Sequence, residues 1–252
     1  MMIISEEIIS ALNIPLNAMV NHRIPKKTLI ENGSLISRDK QLVNECIDTL
    51  SWVAVLKPNT FGVPVFKDTS REYLEIVIIK AECRKASKNS RLAEIIHRSI
   101  QYPIFLILSM PGSLFLSLAH IRWSQSSTDT TVIDGSLVEV TISHNDNCSN
   151  EFIESLNLIK QPSQDTYNFY EGWINCFEAY HASRITGNFR VPDTANASAK
   201  LRFALVEYSR LTKQIANLRA MAIKQRQISK RISYNLQIKE LESTLAKVAS
   251  NL

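Results

Sequence analysis

The sequence predicts an α+β fold, a mixed α/β layer with an antiparallel hairpin, followed by a long C-terminal helical, coiled-coil-like region. Three observations carry this expectation. Short apolar, β-branched runs are concentrated between Trp52 and Ile142. Residues Ala197 to Leu252 contain no proline or glycine and repeat leucine or isoleucine every three or four positions, the spacing of a helical seam. The order of segments is helices, strands, helix, strands, which does not alternate as a parallel sheet requires. The expected division is residues 1–145 as the α/β core with its N-terminal helices, and residues 146–252 as the helical region ending in a basic arm.

In chain order, Ser5 is placed to cap a helix through Ile8, Ile9 and Leu12 that Pro15 stops. Pro25 suits the first turn of a second helix, which Asn32-Gly33 ends. Ser37 is expected to cap a third, with Leu42, Val43, Cys46 and Ile47 at helical spacing. Trp52 to Leu56 and Leu74 to Ile79 read as strands, joined by a Pro- and Gly-containing stretch from Pro58 to Ser70. Ser90 is expected to cap a helix through Leu92, Ile95, Ile96 and Ile100, ended by Pro103. Ile104 to Leu108 and Leu114 to Ala119 flank Pro111-Gly112 and predict the hairpin, with a further strand at Leu137 to Ile142. Helices follow over Glu151 to Ile159 and, from a Ser163 cap, over Gln164 to Arg184. The second brings Tyr167, Tyr170, Trp173, Phe177 and Tyr180 largely to one side, more as a packing face than as a stacking platform. The arm keeps one heptad register through Leu201, Leu211 and Ile215 and another through Ile238, Leu241 and Leu245. That pattern predicts one long helix or a hairpin bending near Ser229, with Arg231 in the seam.

Composition narrows the function classes. Glycine is scarce, with 6 residues in 252, and no G-x-x-x-x-G-K-[ST], G-x-G-x-x-G or G-x-S-x-G stretch is present. No cofactor is therefore expected. The four cysteines are far apart in sequence without a C-x-x-C pair, and the histidines (His22, His97, His120, His144, His181) show no H-E-x-x-H spacing, so no metal site is expected. The absence of a signal-like start and of any apolar run near the roughly 20 residues that cross a bilayer predicts a cytoplasmic protein away from membranes. The net charge of +5 is unevenly distributed: residues 198–252 hold eleven basic and three acidic residues, leaving the remainder at −3. A basic arm on an acidic body suits an acidic partner surface or a polyanion.

Val20-Asn21-His22-Arg23-Ile24-Pro25-Lys26-Lys27, followed by Ile96-His97-Arg98-Ser99-Ile100-Gln101-Tyr102-Pro103 ahead of the hairpin, resembles an uncharacterised bacterial domain family of unknown function. The resemblance spans nearly the whole chain. It implies a neighbourhood of helicase, DNA methyltransferase and restriction-like genes in phage-defence islands, and hence a helicase or methyltransferase partner; it supplies no catalytic residues.

The leading expectation is an accessory, partner-binding subunit that also contacts DNA. Its anion-binding candidates are Arg23, Lys26 and Lys27 at a helix start, His120 and Arg122 at a strand end, and Lys213, Arg219, Lys224, Arg226, Lys230 and Arg231 along the arm. The alternative is a metal-dependent nuclease assembled from Asp68, Glu75 and Lys80, although Glu75-Ile76-Val77 lacks the lysine of an acid-x-Lys triplet and Lys80-Ala81-Glu82 reverses its order. A third reading is a structural homodimer joined through the C-terminal helices.

Overall fold

The computed structural model describes residues 5–85, 87–125, 130–142 and 148–252. The division expected at 145/146 and His144 both lie outside these residues. The chain forms two compact units, residues 1–177 and 178–252.

The first unit opens with α1 (Ser5–Leu12), β1 (Met19–Arg23), α2 (Lys26–Asn32), α3 (Ser37–Cys46) and β2 (Ile47–Leu56). Then come α4 (Pro58–Phe61), β3 (Phe66–Lys67), β4 (Glu72–Tyr73), β5 (Ile76–Cys83) and α5 (Asn89–Ser99). The hairpin is β6 (Ile104–Met110) with β7 (Ser113–Leu118), followed by β8 (Ile121–Trp123), β9 (Thr131–Ile133), β10 (Val138–Ile142) and α6 (Ser149–Ser155). The first part of α7 (Thr166–Thr186) completes the unit. Six strands make one sheet in the order β1-β2-β5-β6-β7-β10; the β5–β6 pair is parallel, with Ile79 opposite Leu106, and the other pairings are antiparallel. The β3–β4 and β8–β9 pairs form two small ribbons.

The mixed sheet follows from its residues. Ile76 to Ile79 and Ile104 to Leu108 are entirely buried, the continuous apolar run of strands covered on both faces. One face carries Val77, Ile79, Leu106 and Leu108 against Leu29, Val43, Leu92 and Ile96 of α2, α3 and α5. On the other face the Phe105 ring meets Trp173 of α7 edge-on, with centroids 4.9 Å apart. Each such buried side chain stabilises the fold by roughly 1.5–3 kcal/mol. The hairpin turns at Gly112, whose φ of +80° is in the left-handed region that glycine adopts without strain. Gly172 answers a different need: a Cβ there would meet Pro162 Cδ at 2.5 Å, so α7 can approach the 161–162 segment only through glycine.

Several details differ from expectation. Ser37 and Ser90 begin or enter helices whose caps are Ile36 and Lys88, neither with a side-chain cap bond. The β2 strand starts at Ile47, five residues before Trp52, because the apolar positions of α3 run straight into it. The Pro58–Ser70 stretch contains α4 and β3. The aromatic face of α7, by contrast, is the packing face expected: Tyr170, Trp173, Phe177 and Tyr180 are fully buried.

In the second unit, α8 (Ala195–Lys224) and α9 (Ile228–Ala249) form a helical hairpin. The Thr194 side chain accepts the Ala197 amide and starts α8. Leu211, Ile215 and Ala222 of α8 and Ile238 of α9 are buried. The break falls at Gln225–Gln227, so the hairpin alternative holds with its bend a few residues before Ser229, and Arg231 is exposed rather than in the seam.

Candidate functional site

The residues named for anion binding fall into three environments. On the arm, Lys213, Lys224, Arg226, Lys230 and Arg231 are exposed and make no ion pair among the described residues. Arg219 differs, because its guanidinium meets Glu242 of α9 at 2.6 Å and its charge is answered within the hairpin. Four of the unpaired cations lie within eight positions around the turn between α8 and α9, interleaved with apolar side chains that remain exposed: Ile223 at 85%, Ile228 at 67% and Ile232 at 54%. The stretch 208–239 holds eight basic residues and no acidic one, so no carboxylate from the tip's own sequence competes for these cations.

The first basic cluster is largely engaged in the fold. Lys26 donates to the Ile47 carbonyl, tying α2 to β2. Lys27 pairs with Glu31 one turn on at 3.0 Å. Arg23 ends the edge strand β1, where the next residue, Ile24, donates its amide to Leu50 O at 2.8 Å.

His120 and Arg122 belong to a polar cluster at the start of α7. Tyr73 Oη accepts the Ile121 amide and donates to His120 Nδ1 at 2.7 Å, which leaves His120 Nε2 to donate to Glu171 at 2.7 Å. Burial raises the Tyr73 phenol well above its ordinary value, keeping the hydroxyl protonated as that donor. The Tyr167 ring stacks on His120 at 4.8 Å and receives Arg71 on its face at 5.6 Å. Arg71 and Arg122 converge on Asp134, the second at 3.4 Å. Each charge here has its complement within the body. His120 therefore links β4 to α7, and Arg122 ties β8 to the residue that follows β9; sequence alternation suggests instead an outward-facing pair.

The residues of the nuclease alternative sit in separate pairings. Asp68 accepts the Ser70 and Arg71 amides, and the first of these leads in holding its carboxyl below the usual range. Glu75 meets Lys57 at 3.2 Å. Lys80 meets Glu6 at 2.7 Å and Glu82 at 3.0 Å; burial pulls its ammonium pKa down, and the two carboxylates outweigh that and leave it raised. Among the described residues no group of three or more His, Cys, Asp or Glu stands where it can hold a metal ion, and no helix is long and apolar enough to cross a membrane.

A cleft of about 370 Å³ opens in the first unit where the two sequence stretches Val20–Lys27 and Ile96–Pro103 meet. Ile24 comes from the first, Ser99 to Pro103 from the second, and Trp52, Trp123, Glu72 and Glu75 complete its walls. Ser99 Oγ donates to Leu29 O at 3.1 Å and fixes α5 against α2 beside it. Sequence reading missed this cleft because Trp52, Glu72, Tyr102 and Trp123 are dispersed along the chain and only the sheet assembles them.

The profile of the family described as Domain of unknown function (DUF4391) matches residues 12–245. The chain belongs to that family. The match takes in both units, so the DUF4391 domain includes the sheet and nearly all of the hairpin. No curated protein and no solved structure matches the chain.

Proposed function

We propose that this DUF4391 protein is an accessory, partner- and DNA-binding subunit of a bacterial antiphage or restriction-modification-like assembly, in which the turn of the α8–α9 hairpin is laid against phosphate backbone. The observation that carries this reading is the group Lys224, Arg226, Lys230 and Arg231, exposed and without ion pairs at the hairpin turn. Cations left unpaired at a tip retain counterions that a polyanion releases on binding, a sequence-independent gain in affinity. The neighbouring exposed Ile223 and Ile228 add apolar contact for a protein surface carrying the same complementary charge. A helicase or DNA methyltransferase as the partner is what the family resemblance suggests. The acidic body supports the division of labour, since it is the arm that carries the positive field.

The test is fluorescence anisotropy of a labelled duplex with the full-length chain over a salt series. The unaltered protein should show log affinity falling linearly with log salt. The variant Lys224→Ala/Arg226→Ala/Lys230→Ala/Arg231→Ala should lose at least about tenfold in affinity, with a slope smaller by about 0.9 for each phosphate contact removed. Equal affinity of the two proteins, or a salt-independent one, would overturn the reading. A mass doubling in light scattering that the same substitutions abolish would instead favour the homodimer.

A further inference from the structure

The cleft in the first unit has a composition that selects its guest. Three aromatic side chains line it, Trp52, Tyr102 and Trp123, with the Trp52 and Tyr102 rings edge-on at 6.0 Å. Two carboxylates, Glu72 and Glu75, share the wall, and among the described residues lining it there is no Lys, Arg or His. Its volume of about 370 Å³ is at the small end of ligand pockets, which run from roughly 300 to 1,000 Å³.

The carboxylates are committed on one side only. Glu72 meets Lys67 at 2.7 Å through Oε1, and Glu75 meets Lys57 at 3.2 Å through Oε2. Both lysine side chains are more than half exposed, whereas both glutamate side chains are only 18% exposed. The second oxygen of each glutamate accepts no hydrogen bond among the described residues, and a carboxylate oxygen accepts two. The Asn32 and Gln101 side chains lie exposed at the rim of the same cleft, where their amide oxygens are open to a donor. A phosphate-bearing ligand would face two carboxylates, and a wholly apolar one would strip water from them without replacement. A planar cation with several N–H donors meets each demand: its face lies on an indole, its edge donates to the open carboxylate and amide oxygens, and no cation among the described lining residues opposes its charge.

We propose that this cleft binds a guanidinium group, presented as an arginine side chain by a partner protein. This site is independent of the hairpin tip, and DNA binding by the tip neither requires nor excludes it.

The chain contains three tryptophans, which makes the test specific. Trp52 and Trp123 line the cleft, whereas Trp173 is fully buried and donates its indole N–H to Leu156 O at 2.8 Å, providing an internal reference. Indole N–H signals of the full-length protein are followed by NMR while three capped probes are added to tens of millimolar: acetyl-arginine amide, its citrulline counterpart, and a short neutral peptide with one central arginine. The expected result is saturable movement of the Trp52 and Trp123 signals with both arginine probes, a still Trp173 signal, and at least tenfold weaker binding of the isosteric, uncharged citrulline probe. The Glu72→Gln/Glu75→Gln protein, its fold checked by the unchanged Trp173 signal, should lose the response. Trp123→Leu should weaken it separately through the stacking face. Equal response to citrulline, an intact response in the double variant, or no saturable shift would each overturn the proposal. Tighter binding of the peptide than of the amide supports a protein source; equal binding overturns that source in favour of a free guanidino compound.

Discussion

In the 1–177 unit several cations stand beside a carboxylate from a distant part of the chain: Lys80 with Glu6, Arg84 with Asp48, Lys85 with Glu45, Arg91 with Asp39. In the 178–252 unit Arg202, Arg210 and Arg219 are paired, but the turn of the hairpin carries four basic residues with none. Apolar side chains follow the layers rather than the units: Leu16 and Ile159 of the body are as exposed as those of the hairpin turn, and Leu211 and Ile215 of the arm are buried. Trp173, Phe105 and Tyr170 are enclosed, while Ile223 and Ile228 are in water. The exposed pairs Arg84–Asp48 and Lys85–Glu45 are worth at most about 1 kcal/mol each, so they do not explain the body's stability, which rests on its core. The difference teaches that the body answers much of its charge between its own elements, apart from the cleft beside Trp52, whereas the turn of the hairpin concentrates unanswered cations in one short stretch.

The strongest challenge to this contrast is Trp173→Ala. The ring packs on Phe105 and Phe169, with centroids 4.9 and 5.0 Å away, and its N–H is bonded. Removal should cost about 3–5 kcal/mol, seen as a lower urea midpoint of the body. A loss below 1 kcal/mol would mean that the body is not organised around α7.

Next in size is a pH effect at His97. The ring is fully buried, and that burial lowers its pKa to about 3 against an ordinary value of 6.5. The unfolded chain therefore takes up a proton between pH 6.5 and 3 that the folded chain refuses. Stability is full above pH 6.5 and declines as pH falls toward 3, with a slope near one proton, about 1.4 kcal/mol per pH unit. His97 Nε2 contacts Ser117 Oγ at 3.1 Å, while Nδ1 is without a partner. His97→Leu should flatten that limb of a urea-midpoint series, and an unchanged slope would assign the acid sensitivity to other groups.

The smallest expected effect is at the tip. Ile223→Ser/Ile228→Ser should change the unfolding free energy, read from urea denaturation, by no more than about 0.5 kcal/mol, since both side chains are already exposed. A larger loss would show that these isoleucines are structural and would blur the contrast.

How far these features could be read in advance follows the range of the interactions. The Pro111-Gly112 hairpin, α2 after Pro25 and the helical arm rest on signals a few residues long, and they stand in the structure. The turn at Gln225–Gln227 has no glycine or proline, so periodicity alone placed it approximately. The bonding of His120 was unreadable because Tyr73 lies 47 positions away and Glu171 lies 51 away, and only the sheet and α7 bring them together. Separated Asp68, Glu75 and Lys80 illustrate the reverse: residues of the right type, near in sequence, each drawn off by a different ion pair.

The single parallel pairing of β5 with β6 has a consequence for how the molecule comes to exist. It divides the six strands into two triplets, β1-β2-β5 and β6-β7-β10, each closed by antiparallel contacts. Antiparallel neighbours can zip from a tight turn, whereas parallel ones need a crossover, here the passage through α5. The seam between the triplets is bridged in sequence by that helix, which makes α5 the clasp of the sheet. Severing the peptide chain just ahead of α5 should leave two fragments that recover the native form only by meeting each other, at a rate proportional to their concentration.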